Sequence, residues 1–126
     1  MNTGHDGSIS TCHANSTKDT VARMETMVLM NRELPLQAIR RQIASGVDII
    51  VYLGRLRDKS RRILEITEVT GMEGNTITMQ EIFKYRQEGY DENNMSVGDF
   101  YSTGIRPKCC EKITASGVQV DDHWFF

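Results

Sequence analysis

The densest chemistry in the sequence lies in NTGHDGSISTCHANST, residues 2–17, which sets His5 and His13 beside Asp6, Cys12 and a run of hydroxyls. Three kinds of chemistry use such groups. Zinc accepts nitrogen, sulfur and oxygen donors, so His5, Asp6, Cys12 and His13 are competent ligands. Their spacing is poor for it: the histidines stand eight apart across a glycine-containing turn, with no short paired ligand motif. Histidines bonded only to backbone carbonyls would be structural. The third chemistry is phosphate recognition. Imidazole donors can report a phosphate by hydrogen bonding or orient a water, and ligands of open α/β sheets bind beyond the carboxyl ends of strands. On residue types alone all three stay open.

A second group is electrostatic. Arg55, Arg57, Lys59, Arg61 and Arg62 gather around an RDKS turn, while Glu88, Asp91, Glu92 and Asp99 form an acidic counterpart. Each reads either as solvated surface or as a contact for a partner or a phosphate. What would hold a nucleotide is not in the sequence. A P-loop needs Gly-Lys-Ser or Gly-Lys-Thr, whose backbone N–H groups cradle the phosphates while the lysine reaches the terminal ones. No glycine here precedes a lysine, and no apolar strand ends in an acidic residue suited to Mg²⁺. Alone, the chain is not expected to hydrolyse a nucleotide by that mechanism.

The elements that would position these residues are readable in part. Ile9–Ala14 is short and β-branched and reads as a strand or a strand-like edge. Ser16, with Asp19 three residues on, makes a capping-box pattern for a helix reaching about Asn31, with Val21, Met24, Met27 and Val28 at helical spacing. Pro35 suits a first helical turn, Leu36, Ile39, Ile43 and Ala44 form a stripe, and Gly46 ends it. The run VDIIVYL, residues 47–53, predicts a strand buried on both faces. RRILEITEVTG and NTITMQEIFKYR alternate about Gly71–Asn75 and predict an antiparallel hairpin. Residues 86–98 read as a loop, Phe100–Gly104 as extended, and Pro107–Ser116 as a short helix stopped by Gly117.

Composition sets the bounds. A chain of 126 residues, 39% hydrophobic and 25% charged with two prolines, suits one folded domain. Its net charge of −2 gives no general attraction to nucleic acid. No apolar run approaches the roughly 18 residues of a membrane span, and no signal-peptide pattern is visible. Three cysteines without a CxxC suit a reducing compartment, so a cytoplasmic location is expected.

The opening stretch resembles the histidine-box segment of the type II/type IV secretion-system ATPases. Within that superfamily it is most similar to the CpaF-like branch, which powers Flp (tight-adherence) pilus assembly. The similarity continues through LPLQAIRRQIASGVDIIVYLGRLRDKSRRILEITEVTGMEGNTITMQEIFKY and FYSTGIRPKCCEKITASGV. GHDGS…HANS followed by QIASGVDIIV and EVTGMEG is a specific combination. The resemblance implies an α/β fold, the C-terminal portion of a RecA-like P-loop ATPase core. It would have a mixed sheet, an antiparallel hairpin and flanking helices. Residues 1–85 would form the core, with the histidine box at 2–17, and residues 86–126 a loop and short helical tail.

The same resemblance implies roles. His5 and His13 match the box histidines that face the terminal phosphate, as γ-phosphate sensors in catalysis rather than nucleophiles. Thr3, Gly4 and Asp6 would shape the turn beside the nucleotide, and Asn15 its far end. Arg61 and Arg62 match a basic pair, with a phosphate or a subunit interface as possible contacts. Cys12 departs from the pattern, standing where a small or aliphatic residue is expected. ATP and Mg²⁺ would be bound mainly by upstream segments, with no metal held by this chain itself. The implied assembly is a hexameric ring at the inner face of the cytoplasmic membrane, held there by inner-membrane platform proteins and binding no nucleic acid. A non-catalytic interaction module and a small metal-binding hydrolase are the alternatives.

Overall fold

The computed structural model describes residues 9–31 and 35–126. Helix α1 spans Thr17–Asn31 and α2 Leu36–Gly46; the strands are β1 Ile49–Arg55, β2 Arg61–Glu73, β3 Thr76–Tyr90 and β4 Ser96–Ser102. A third helix, α3, covers Cys109–Ala115, and a 3₁₀ turn covers Asp122–Trp124. The strands pair in the order β1-β2-β3-β4. Short connections force antiparallel neighbours, so the expected mixed sheet is instead antiparallel among the described residues. Flanking helices and the α/β character agree with expectation. No described helix is long and apolar enough to cross a membrane.

The chain forms two compact units, one from the N-terminal residues through Ile50 with Val69–Gln80, the other from Val51–Glu68 with Glu81–Phe126. In the first unit, α1 begins as its sequence dictates. Asp19 N–H donates to Ser16 Oγ at 3.0 Å, and the Asp19 carboxylate accepts the Asn15 N–H at 2.9 Å, satisfying donors that a helix start leaves open. The Asn15 N–H holds the Asp19 carboxyl below its ordinary value, and Arg23 adds to the effect. The core gathers Val21 from α1, Ile39 and Ile43 from α2, and Val47, Ile50, Val69 and Ile77, with Met24 and Val28 packed against it. Arg40 of α2 donates to Glu25 Oε1 of α1 and to the Asn75 carbonyl, both at 3.0 Å, so the helix pair is tied to the β2–β3 turn.

In the second unit Ile82 and Cys110 are buried at 1% and 2% exposure, and Phe83 stacks on Phe100 with centroids 5.6 Å apart. Phe125 folds back to within 6.0 Å of the Phe83 ring. Residues 86–98 are not a loop: β3 continues to Tyr90, and β4 pairs with it from Ser96, with an irregularity between Gln87 and Gly89. The turn between them is closed by Asp91 N–H to the Met95 carbonyl at 2.9 Å, with Asn94 at φ 59°, a left-handed conformation that asparagine tolerates. Polarity misled the sequence reading because both faces of β4 are largely open to solvent.

Two further expectations fail for identifiable reasons. Ile9–Ala14 form no strand, since no described strand runs alongside to complete its backbone hydrogen bonds. The continuous apolar run 47–53 is not buried on both faces. In β1, an edge strand, Ile50 is 8% exposed, whereas Val51 and Leu53 are 46% and 61% exposed.

Candidate functional site

Thr3, Gly4, His5 and Asp6 lie outside the described residues. His13 and Asn15 belong to the first unit, in the segment that leads into α1, and both side chains are exposed. The imidazole of His13 is therefore not committed to the core, while the backbone just beyond it is pinned by the Ser16–Asp19–Asn15 cap. That combination suits a side chain that must reach something outside the unit. Cys12, where the resemblance leads one to expect a small or aliphatic residue, is exposed too.

Thr17 was missed from sequence. It is 4% exposed at the start of α1, and its Oγ1 has no hydrogen-bond partner among the described residues. A buried hydroxyl normally finds one. The segment 9–16 thus runs into a helix start with a spare polar valence. Among the described residues no three His, Cys, Asp or Glu side chains converge as a metal site would require.

Arg61 and Arg62 belong to the second unit, on the hairpin that joins β1 to β2. Leu56 N–H donates to the Ser60 carbonyl at 2.8 Å, Lys59 N–H donates to the Leu56 carbonyl at 2.9 Å, and Lys59 sits at φ 68°. This is a three-residue loop whose last residue is left-handed. Residue 56 stands opposite 60, so Arg55 stands opposite Arg61 on one face of the ribbon. Arg62 points to the other face, its guanidinium 5.5 Å from the Tyr85 ring centroid. The adjacent arginines are thus separated: Arg61 is exposed at the hairpin tip, while Arg62 is engaged with Tyr85, whose hydroxyl lies 2.9 Å from Ser96 Oγ.

Asp58 organises this tip. Its carboxylate accepts from Ser60 Oγ at 2.5 Å, from Ser60 N–H at 2.8 Å and from Ser96 N–H at 2.6 Å. These bonds, led by the Ser60 hydroxyl, lower its pKa to about 2. A carboxyl depressed in the folded state stabilises above its unfolded pKa and loses that contribution as pH falls through the folded one. Asp58→Asn should therefore lower the urea midpoint at pH 6, and the gap to wild type should close between about pH 4 and pH 2. Unfolding curves across that range check it, and a gap independent of pH would refute the assignment.

Comparison with known proteins adds the following. The sequence model of the family described as "Type II/IV secretion system protein" matches residues 1–118. A protein of Mycobacterium tuberculosis named for conjugal transfer is 35% identical over 74 residues, covering 59% of this chain and 21% of that protein. The type IV secretion system protein VirB11 of Brucella suis is 45% identical over 53 residues, covering 40% of this chain and 15% of its own. The conjugal transfer protein TrbB of Rhizobium radiobacter is 32% identical over 74 residues, covering 59% and 22%. The chain thus spans about a fifth of the length of these curated relatives.

Proposed function

The chain belongs to the type II/IV secretion system protein family, and we propose that it is the C-terminal part of an ATPase that powers protein secretion or pilus assembly. The observation that carries this reading is the extent of the family match, residues 1–118, which takes in both the GHDGS…HANS box and the basic hairpin. The CpaF-like branch, serving Flp pili, is the finer assignment, supported by the combination of QIASGVDIIV and EVTGMEG with that box. The relatives named for conjugal transfer and type IV secretion fit the same class of machine.

On this reading the chain completes a RecA-like P-loop core. ATP and Mg²⁺ are held mainly by segments outside these residues, because the Gly-Lys pair that cradles phosphates is not in the sequence. His5 and His13 sense the terminal phosphate, with Thr3, Gly4, Asp6 and Asn15 shaping the segment that presents them. The exposed His13 beside a pinned helix start supports that role. The working assembly is a hexameric ring at the inner face of the cytoplasmic membrane, docked on platform proteins. The missing Gly-Lys pair also favours a second reading, in which the chain is a docking module without catalysis.

The two readings separate in one assay. The 126-residue chain incubated with Mg·ATP should release phosphate only at background, whereas a longer protein carrying both a P-loop and this segment should turn over. Hydrolysis by the short chain that vanishes in His13→Ala would show that the chemistry is complete here. A longer protein whose turnover is indifferent to deletion of residues 2–17 would favour the docking module.

A further inference from the structure

The threonines of α1 follow one rule with a single exception. Thr20 Oγ1 donates to the Ser16 carbonyl at 2.9 Å and Thr26 Oγ1 to the Ala22 carbonyl at 3.0 Å, each reaching one helical turn back. Thr17 has the same chemistry and is 4% exposed, yet its Oγ1 has no partner among the described residues. The residue one turn back from Thr17 is His13. Its carbonyl meets no stronger donor among the described residues than the Cys12 thiol, at 3.9 Å. A buried hydroxyl without an acceptor and a carbonyl with a weak donor would meet if α1 began one turn earlier.

The chain permits such a start. Residues 9–14 form no strand, so no ladder has to break. Ser10 and Thr11 offer hydroxyl caps for a helix entered at Cys12. The present start is held by the bonds among Asn15, Ser16 and Asp19, which winding gives up. In return the Thr17 N–H and Oγ1 both reach the His13 carbonyl. A lost cap and a newly satisfied buried hydroxyl are effects of similar size, so the two arrangements lie close enough for a ligand to bias them. An anion has reason to. Winding takes Asp19 out of the first turn and leaves His13 in it, where open N–H groups and the positive helix end favour a phosphate.

We propose that α1 winds back by one turn, through His13, when the terminal phosphate is bound, and that Thr17 is the positioning residue that holds the wound state. Its hydroxyl acts through the His13 backbone and touches no reacting atom. Because Val21, one turn further along α1, is part of the core, a shift at His13 is carried directly into packed structure. The Ser16 hydroxyl cannot serve in Thr17's place, since it is the group that caps the shorter helix. This device rests on the reading of His13 as a phosphate sensor and adds how a sensed phosphate reaches the fold.

Thr17→Val, which keeps the shape and removes the hydroxyl, is the test. In the 126-residue chain it should raise the urea midpoint by about 0.5 M, because a buried group without a partner is lost. In a longer protein carrying both a P-loop and this segment, it should lower turnover about tenfold while nucleotide affinity stays within about twofold. Thr17→Ser, which retains the hydroxyl, should bring turnover back to within about twofold of wild type. A more stable chain with a slower enzyme is a pair of results that a merely structural role does not produce. Winding itself is read from amide exchange at Ser16 and Thr17 in the longer protein. Exchange should slow at least about tenfold when a non-hydrolysable ATP analogue and Mg²⁺ are added, and Thr17→Val should abolish the slowing. A lowered urea midpoint in Thr17→Val, or exchange indifferent to the analogue, would overturn the proposal. Wild-type turnover in Thr17→Val beside an impaired His13→Ala would sink the winding and leave the sensor reading standing. Wild-type turnover in His13→Ala would remove both.

Discussion

In an intact ATPase that carries this segment, His13→Ala is expected to lower turnover by roughly 10- to 1,000-fold while nucleotide affinity changes by less than about threefold. The asymmetry follows from where the binding energy resides. P-loop backbone groups hold the ground state, so a positioned imidazole that meets the terminal phosphate matters mainly when charge moves in the transition state. The fold argument points the same way. His13 is exposed and precedes α1, and the cap that fixes the neighbouring backbone uses Asn15, Ser16 and Asp19 rather than the imidazole. Its removal should leave the thermal midpoint within about 2 °C. Steady-state turnover, equilibrium binding of a labelled nucleotide and a melting curve on the same preparation test all three parts. Wild-type turnover with weakened ATP binding would show that His13 holds the ground state, and a large fall in the melting point would make it structural.

What the sequence disclosed is what local chemistry controls. Ser16 and Asp19 announce the start of α1 because both partners of the cap lie within one turn. Ile39 and Ile43, one turn apart, mark the buried side of α2, and both are buried. The apolar run 47–53 shows the limit. When every residue is apolar, periodicity carries no information about which side is covered, and Ile50 and Val51 differ only through their surroundings. Residues 86–98 fail for the complementary reason. An edge strand open on both faces needs no apolar alternation, so its only local signal is the asparagine-rich turn at Asn93–Asn94. In the candidate site, the exposed His13 could be suspected from its motif. That Arg61 and Arg62 face opposite sides follows from strand alternation, whereas the pairing of Arg61 with Arg55 does not, because it depends on which strand residue opposes Ser60.

Glu68 is the strongest case of a determinant hidden from sequence, and its removal should have the largest effect on stability. It is 3% exposed on β2, and its two carboxylate oxygens accept Lys108 N–H and Cys109 N–H, each at 2.8 Å. The partners lie 40 and 41 positions away, where α3 begins. A helix start leaves backbone donors open, and the usual remedy is a side chain a few residues upstream. Here Lys108 occupies the cap position and makes no side-chain cap bond; a carboxylate from a distant strand does the capping instead. Burying that charge costs several kcal/mol, which charge-assisted bonds to two N–H groups at the positive end of a helix can offset. Glu68→Ala leaves those donors without an acceptor and opens a cavity, so a loss of about 2–4 kcal/mol is expected. Glu68→Gln should recover only part of it, since its amide sets an N–H₂ group against one of the two donors. Urea unfolding measures the total, and Cys110, 2% exposed one residue into α3, reports the local event. If the carboxylate holds the helix start, Cys110 should react with a thiol reagent faster in both variants, well below the urea concentration at which the chain unfolds. Unchanged protection of Cys110 with an unchanged midpoint would mean that α3 is held by its own packing and that the two hydrogen bonds to Glu68 are dispensable.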